Sequence, residues 1–93
     1  MSFEWNARKA EGNRRKHGVT FQEATTIFAD TLALTFNDLD HSTLEQRFLT
    51  MGLSANGRLL VVAHAARGDN IRIISARVMT PRERKQYEQH EQG

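Results

Sequence analysis

The stretch RLLVVAHAARGDNIRIISAR, Arg58 to Arg77, constrains the fold more than any other part of the chain. Leu59 to Ala66 and Ile71 to Val78 each have the length of a buried strand and are rich in β-branched residues. Arg67-Gly68-Asp69-Asn70 between them supplies residues that reverse a chain tightly, so the two runs read as an antiparallel hairpin. Arg58, Arg67, Arg72 and Arg77 punctuate this apolar hairpin. A guanidinium held on a stiff sheet is a planar donor fork matched to phosphate or carboxylate.

The flanking segments predict a single α+β domain over residues 1–93: two N-terminal helices, an antiparallel sheet of about four strands and a C-terminal helix. Phe3-Glu4-Trp5 reads as a short edge strand. Asn6 caps a helix over 7–17, and Gly18 stops it in the left-handed region. The 3.6-residue period puts Ala7, Ala10, Arg14 and His17 on one side, beside the protein body. Thr20 and Glu23 form a capping box for a second helix, packed through Phe21, Ala24 and Phe28 and ending near Asp30. Leu32 to Phe36 is a further strand. Thr80-Pro81-Arg82-Glu83 opens the last helix, whose one large apolar body is Tyr87, and order is expected to end from about His90.

Arg47 to Leu53 pairs with the hairpin through a two-residue Asn56-Gly57 turn. That turn predicts Leu53 opposite Leu60, Met51 opposite Val62 and Leu49 opposite His64. These residues, with Ile71, Ile73, Ser75 and Arg77, then share the core side. Phe48, Thr50, Gly52, Val61, Arg72 and Ala76 fall on a shallower, open face.

The chain has no cysteine, which excludes disulfides and thiolate metal sites, and no apolar run near the roughly 20 residues that span a membrane. A cytoplasmic protein is the expectation. Net charge is only +2, but it is unevenly placed. Residues 8–17 carry five basic groups against Glu11, residues 58–85 carry seven against Asp69 and Glu83, and residues 21–46 carry five acids with no Lys or Arg. Such asymmetry suits an anionic partner, nucleic acid above all, although ordinary solvated charge produces it too. Asp38, Asp40 and His41 match neither a calcium loop nor a zinc spacing, so no metal and no cofactor is expected.

No nucleophile–base signature or phosphate-binding glycine loop is present. Arg, Lys, His and Tyr beside a small-residue sheet face remain. That set suits RNA cleavage, where the substrate's own 2′-hydroxyl attacks and the protein only moves protons and stabilises charge. It equally suits a non-enzymatic module that grips RNA or an acidic protein partner.

FEWNARKAEGNRRKHGVTFQEA, then FAD, EQRFLTMGLS, GRLLVVAHAARGDNIRIISAR and ERKQYE, together resemble the BrnT toxin family over about residues 3 to 88. The resemblance implies a RelE-like ribonuclease that cuts mRNA, the toxin half of a type II toxin–antitoxin pair. It also implies a BrnA-like ribbon-helix-helix antitoxin as partner, with operator DNA bound only through that antitoxin. By position, the resemblance makes Lys16, His17, Arg67, Arg72 and Arg77 the expected catalytic set. Lys9, Arg15, Arg47 and Arg58 are expected to contact RNA. Asn6 stands where the family usually has Asp, and Ala66 where Glu often precedes Arg-Gly. Structural alternatives accompany these roles: a helix end for Lys16 and His17, a Glu83 or Glu45 salt bridge for Arg77, an ion pair for Glu45 and Arg47. His64 reads as a hydrogen-bonded core histidine and Tyr87 as packing.

Overall fold

The computed structural model describes residues 2–40 and 45–92. Five strands form one sheet in the spatial order β1-β5-β4-β3-β2. They are β1 Ser2–Glu4, β2 Leu34–Asn37, β3 Arg47–Leu53, β4 Leu59–Arg67 and β5 Asn70–Val78. Neighbours from β2 through β5 are antiparallel, whereas β1 joins β5 in parallel, so the sheet is mixed and has one strand more than the sequence suggests. Residues 41–43 of the acidic connection lie outside the described residues.

Helix α1 (Ala7–His17) starts where expected, with the Asn6 side chain accepting from the Lys9 amide at 3.0 Å. It stops at Gly18, φ 69°. Helix α2 (Phe21–Thr25) begins at Thr20, whose hydroxyl accepts from the Glu23 amide, and tightens into a 3₁₀ turn at Thr26–Ala29. Phe21, Ala24 and Ile27 from this segment bury against Leu60, Val62, Ile73 and Ala76 of the sheet. Gly52 makes the approach possible: a Cβ there would sit 3.1 Å from the Ile27 Cβ. Helix α3 (Pro81–Gln92) covers the other face, where Tyr87 and Met79 pack with Met51 and Val61. It runs through the segment from His90 that the sequence leaves without structure.

Two local departures rearrange the sheet faces. The β3–β4 turn is a three-residue loop: the Gly57 amide donates to the Ser54 carbonyl and Gly57 takes φ 78°, the left-handed position of a bulged hairpin. Leu53 therefore faces Leu59, Met51 faces Val61 and Phe48 faces His64, one residue off the expected register. Such a slip turns every β3 side chain to the opposite face relative to β4. In β5, Ala63 pairs with Ser75 but His64 pairs with Ile73, leaving Ile74 as the extra residue of a bulge. The face under α1 and α2 consequently holds Phe48, Thr50, Gly52, Val62, Ile73 and Ala76. Arg72, Ser75 and Arg77 all lie on the other face, with Met51 and Val61.

The inward centre of α1 is Asn13, not Arg14, which is exposed and bonded to Glu11. Strand β1 covers β5 only from Asn70 to Arg72. Beyond it, the Asn13 amide group takes over as a strand partner: Nδ2 donates to the Ala76 carbonyl at 2.8 Å and Oδ1 accepts the Ala76 amide at 3.0 Å. Nδ2 also donates to the Val19 carbonyl at 2.9 Å, tying the helix, the following loop and the sheet edge together. Asn13→Ala leaves these buried groups unpaired, and denaturant unfolding is expected to show a loss of about 2–4 kcal/mol.

His64 is 7% exposed, stacked on Phe48 and met edge-on by Phe28, and hydrogen-bonded to the Thr50 hydroxyl at 2.7 Å. Burial pushes its pKa from 6.5 down to about 4. Between those values the unfolded chain binds the extra proton, so this contribution is full above pH 6.5 and shrinks as pH falls towards 4. Unfolding at pH 5 is expected to require about 2 kcal/mol less than at pH 7, and His64→Gln should flatten that difference.

Candidate functional site

The β4–β5 turn brings Arg67 and Arg72 together. Gly68, at φ 60°, takes the first corner of the two-residue turn that joins Arg67 to Asn70. Arg72 pairs across the sheet with Ala65 and, on the other side, with Glu4 of β1. Ala65 in turn faces Arg47 on β3. Paired residues share a face, so Glu4, Arg47, Arg67 and Arg72 project from the same side at the same end of the sheet. Glu4, Trp5, Asn6, Arg67 and Arg72 line an open hollow of about 230 Å³ there.

Carboxylates bracket one of these arginines. Arg67 Nε lies 3.6 Å from Glu4 and its Nη1 3.7 Å from Glu45. Glu45 also stands 3.9 Å from Arg47 Nε. These separations are ion pairs without tight hydrogen-bond geometry, and such partly exposed contacts are individually weak. Arg72 is different: its guanidinium makes no hydrogen bond or ion pair with any described residue. A half-buried guanidinium, stiffened by a strand on each side, thus faces the hollow with its donors free.

Arg77 shares the face but not the hollow. The bulge places it opposite Val61, where Glu83 takes it in a two-pronged pair at 2.7 and 2.9 Å. Glu83 Oε1 also accepts the Thr80 amide while the Thr80 hydroxyl accepts the Glu83 amide, completing the capping box of α3. The Arg77 guanidinium holds the Glu83 carboxyl down at about 2. On the same face, Tyr87 donates to Asp30 Oδ2 at 2.6 Å and so latches α3 to the residue after the 3₁₀ turn, which also accepts the Leu53 amide. Burial alone would raise the Asp30 carboxyl, but Tyr87 and the Leu53 and Leu32 amides outweigh it and hold it below the usual range.

Lys16 and His17 lie at the far end of α1. Asn6, before the helix, lines the hollow, and the 11-residue helix carries its last residues about 16 Å away. There the Gly18 carbonyl accepts from Arg58 at 3.1 Å. Arg58 is bound further by Glu23, a nearly buried carboxylate that pairs with both Nε and Nη2. Glu23 therefore does not turn back on its own helix start as the sequence suggests; Arg58 and Ser54 claim it instead. Arg58 holds the Glu23 carboxyl below its ordinary range. Arg15 is exposed and shares Glu11 with Arg14, and Lys9 is exposed in the first turns of α1. Of the nine basic or histidine residues expected at the site, the hollow gathers Arg67 and Arg72, with Arg47 adjoining. Sequence reasoning missed Glu4 and Trp5, because only the parallel pairing of β1 with β5 brings them there.

The sequence model of the family described as "Ribonuclease toxin, BrnT, of type II toxin-antitoxin system" matches residues 5–83. The chain belongs to the BrnT family. The crystal structure of the Brucella abortus ribonuclease toxin BrnT superposes with a TM-score of 0.67 at 20% identity, covering 86% of this chain and 97% of that one. At that identity the likeness establishes the fold alone. No curated protein matches the chain. The BrnT match spans the arginine hairpin and Trp5 but begins one residue after Glu4. Among the described residues, no helix is long and apolar enough to cross a membrane, and no three His, Cys, Asp or Glu side chains gather to hold a metal.

Arg58 gives this BrnT fold a test that separates structure from RNA contact. Arg58→Ala strands the Glu23 carboxylate, and thermal or denaturant unfolding is expected to lose about 2–4 kcal/mol.

Proposed function

We propose that this BrnT-family chain is an endoribonuclease toxin that cuts mRNA without a metal, arresting translation in the cytoplasm. Arg72 carries the reading: it is oriented by the sheet, opens on the hollow and has no acid among the described residues to satisfy it. Paired with Arg67, it forms two guanidinium forks that a single phosphate can bridge, as free arginines in flexible loops would not. In cleavage the ribose 2′-hydroxyl attacks the adjacent phosphorus. Negative charge builds on the phosphorane oxygens, and pre-placed guanidinium groups stabilise that charge more than they stabilise the ground state. Trp5 at the rim offers an aromatic plane on which an unpaired base stacks.

Within this proposal Arg67 and Arg72 are the catalytic pair. Arg77 supports them by anchoring α3 through Glu83, and Lys9, Arg15 and Arg47 supply positive charge along the RNA path. Lys16, His17 and Arg58 form a second basic end that a longer strand reaches. A BrnA-like ribbon-helix-helix antitoxin is the proposed partner, neutralising the toxin and carrying the complex to operator DNA.

Purified protein incubated with RNA in EDTA is expected to leave 2′,3′-cyclic phosphate ends. Arg72→Ala should cut the rate about 10²–10³-fold while the unfolding midpoint stays near that of the parent. RNA left intact by folded parent protein in EDTA would defeat the proposal. Binding that weakens only gradually with each charge removed, without cleavage, would instead identify a module that grips RNA non-enzymatically.

A further inference from the structure

We infer that Glu4 is the proton acceptor for the attacking 2′-hydroxyl, an inference that rests on the ribonuclease reading above. The arginine pair supplies charge but no base, since guanidinium groups stay protonated. His17 and Lys16 sit at the opposite end of α1, and the His64 ring is buried under the other face, between Phe28 and Phe48. Two described carboxylates approach the Arg67 guanidinium, those of Glu4 and Glu45. Glu45 stands between Arg67 and Arg47 and is drawn to both. Glu4 has one such partner, is 41% exposed along its side chain and itself lines the hollow.

Its placement is fixed by backbone. Glu4 is the residue of β1 directly paired with Arg72 of β5, so carboxylate and guanidinium emerge side by side from adjacent strands. A phosphate bridged by Arg72 and Arg67 would bring the neighbouring ribose 2′-hydroxyl within reach of the Glu4 carboxylate, which lines the same hollow. In the step, the 2′-oxygen–phosphorus bond forms as the hydroxyl proton passes to a Glu4 oxygen. The phosphorus–5′-oxygen bond breaks, and the departing 5′-oxygen takes a proton from water. Glu4 then returns its proton to solvent, so no metal or other reagent enters the balance. The Glu4–Arg67 contact at 3.6 Å is loose enough for phosphate to displace it.

Glu4→Gln keeps the shape and removes the base. Cleavage is expected to slow about 10²–10⁴-fold, and the acid limb of the pH–rate profile should vanish. Affinity for a 2′-deoxy-substituted, uncleavable RNA should hold or rise, because a carboxylate competing for Arg67 is gone. If Glu4→Gln cleaves within a few-fold of the parent, or if rate and affinity fall together, Glu4 is not the base while the ribonuclease reading survives. If the parent itself cleaves nothing, both are overturned.

Discussion

The extra residue in β5, Ile74, decides which way the arginines of that strand point. In a regular strand, positions 72 and 77 lie on opposite faces, because side chains alternate with a period of two. The bulge between Ile73 and Ser75 adds one step, so Ile73 and Ala76 both bury under α1 and α2 while Arg72 and Arg77 both emerge on the other side. Energetically the bulge leaves one residue out of the ladder. In return, a charged face and a packed face coexist on a strand where an unbroken alternation would mix them. A partly buried arginine pushed among Phe21, Ile27 and Leu60 would lack any partner and cost several kcal/mol.

With the face set, acids determine what each arginine does. Glu83 occupies Arg77 and ties it to the start of α3, Glu23 occupies Arg58 beside α2, and Glu4 with Glu45 loosely bracket Arg67. The Glu23 and Glu4 pairings brace elements distant in sequence, whereas Glu83 ties Arg77 to the helix that follows its own strand. Arg72 is the exception on this sheet, and its exposure to the hollow follows from geometry: β1 supplies Glu4 beside it, yet Glu4 leans to Arg67. The site proposed for phosphate thus rests on incomplete neutralisation among the described residues. Unneutralised positive charge of this kind suits a polyanionic partner.

Local elements were readable with good fidelity because their signals are local. Asn6 and Gly18 bound α1 by capping one end and taking the left-handed conformation at the other, and Thr80, Pro81 and Glu83 start α3. The Gly68 turn, the burial of His64 and the packing role of Tyr87 also followed from sequence. Asn13 carries no local signal of burial; its value lies in Ala76, 63 positions away, whose backbone it pairs like a neighbouring strand. The β3–β4 register failed by one residue because Asn-Gly fits a two-residue turn and a bulged three-residue loop alike.

What the amino-acid order determined by itself was the inventory: strand-forming runs, helix ends, turns, and arginines spaced through an apolar hairpin. It also carried enough of the BrnT pattern to identify the family. Tertiary structure alone decided which of those arginines are spent on acids and which one stays open. That choice depends on a one-residue bulge, a one-residue loop difference and a short parallel edge strand. Each of these is a small backbone event, stabilised by contacts far along the chain, and short-range preferences do not distinguish it from its alternatives.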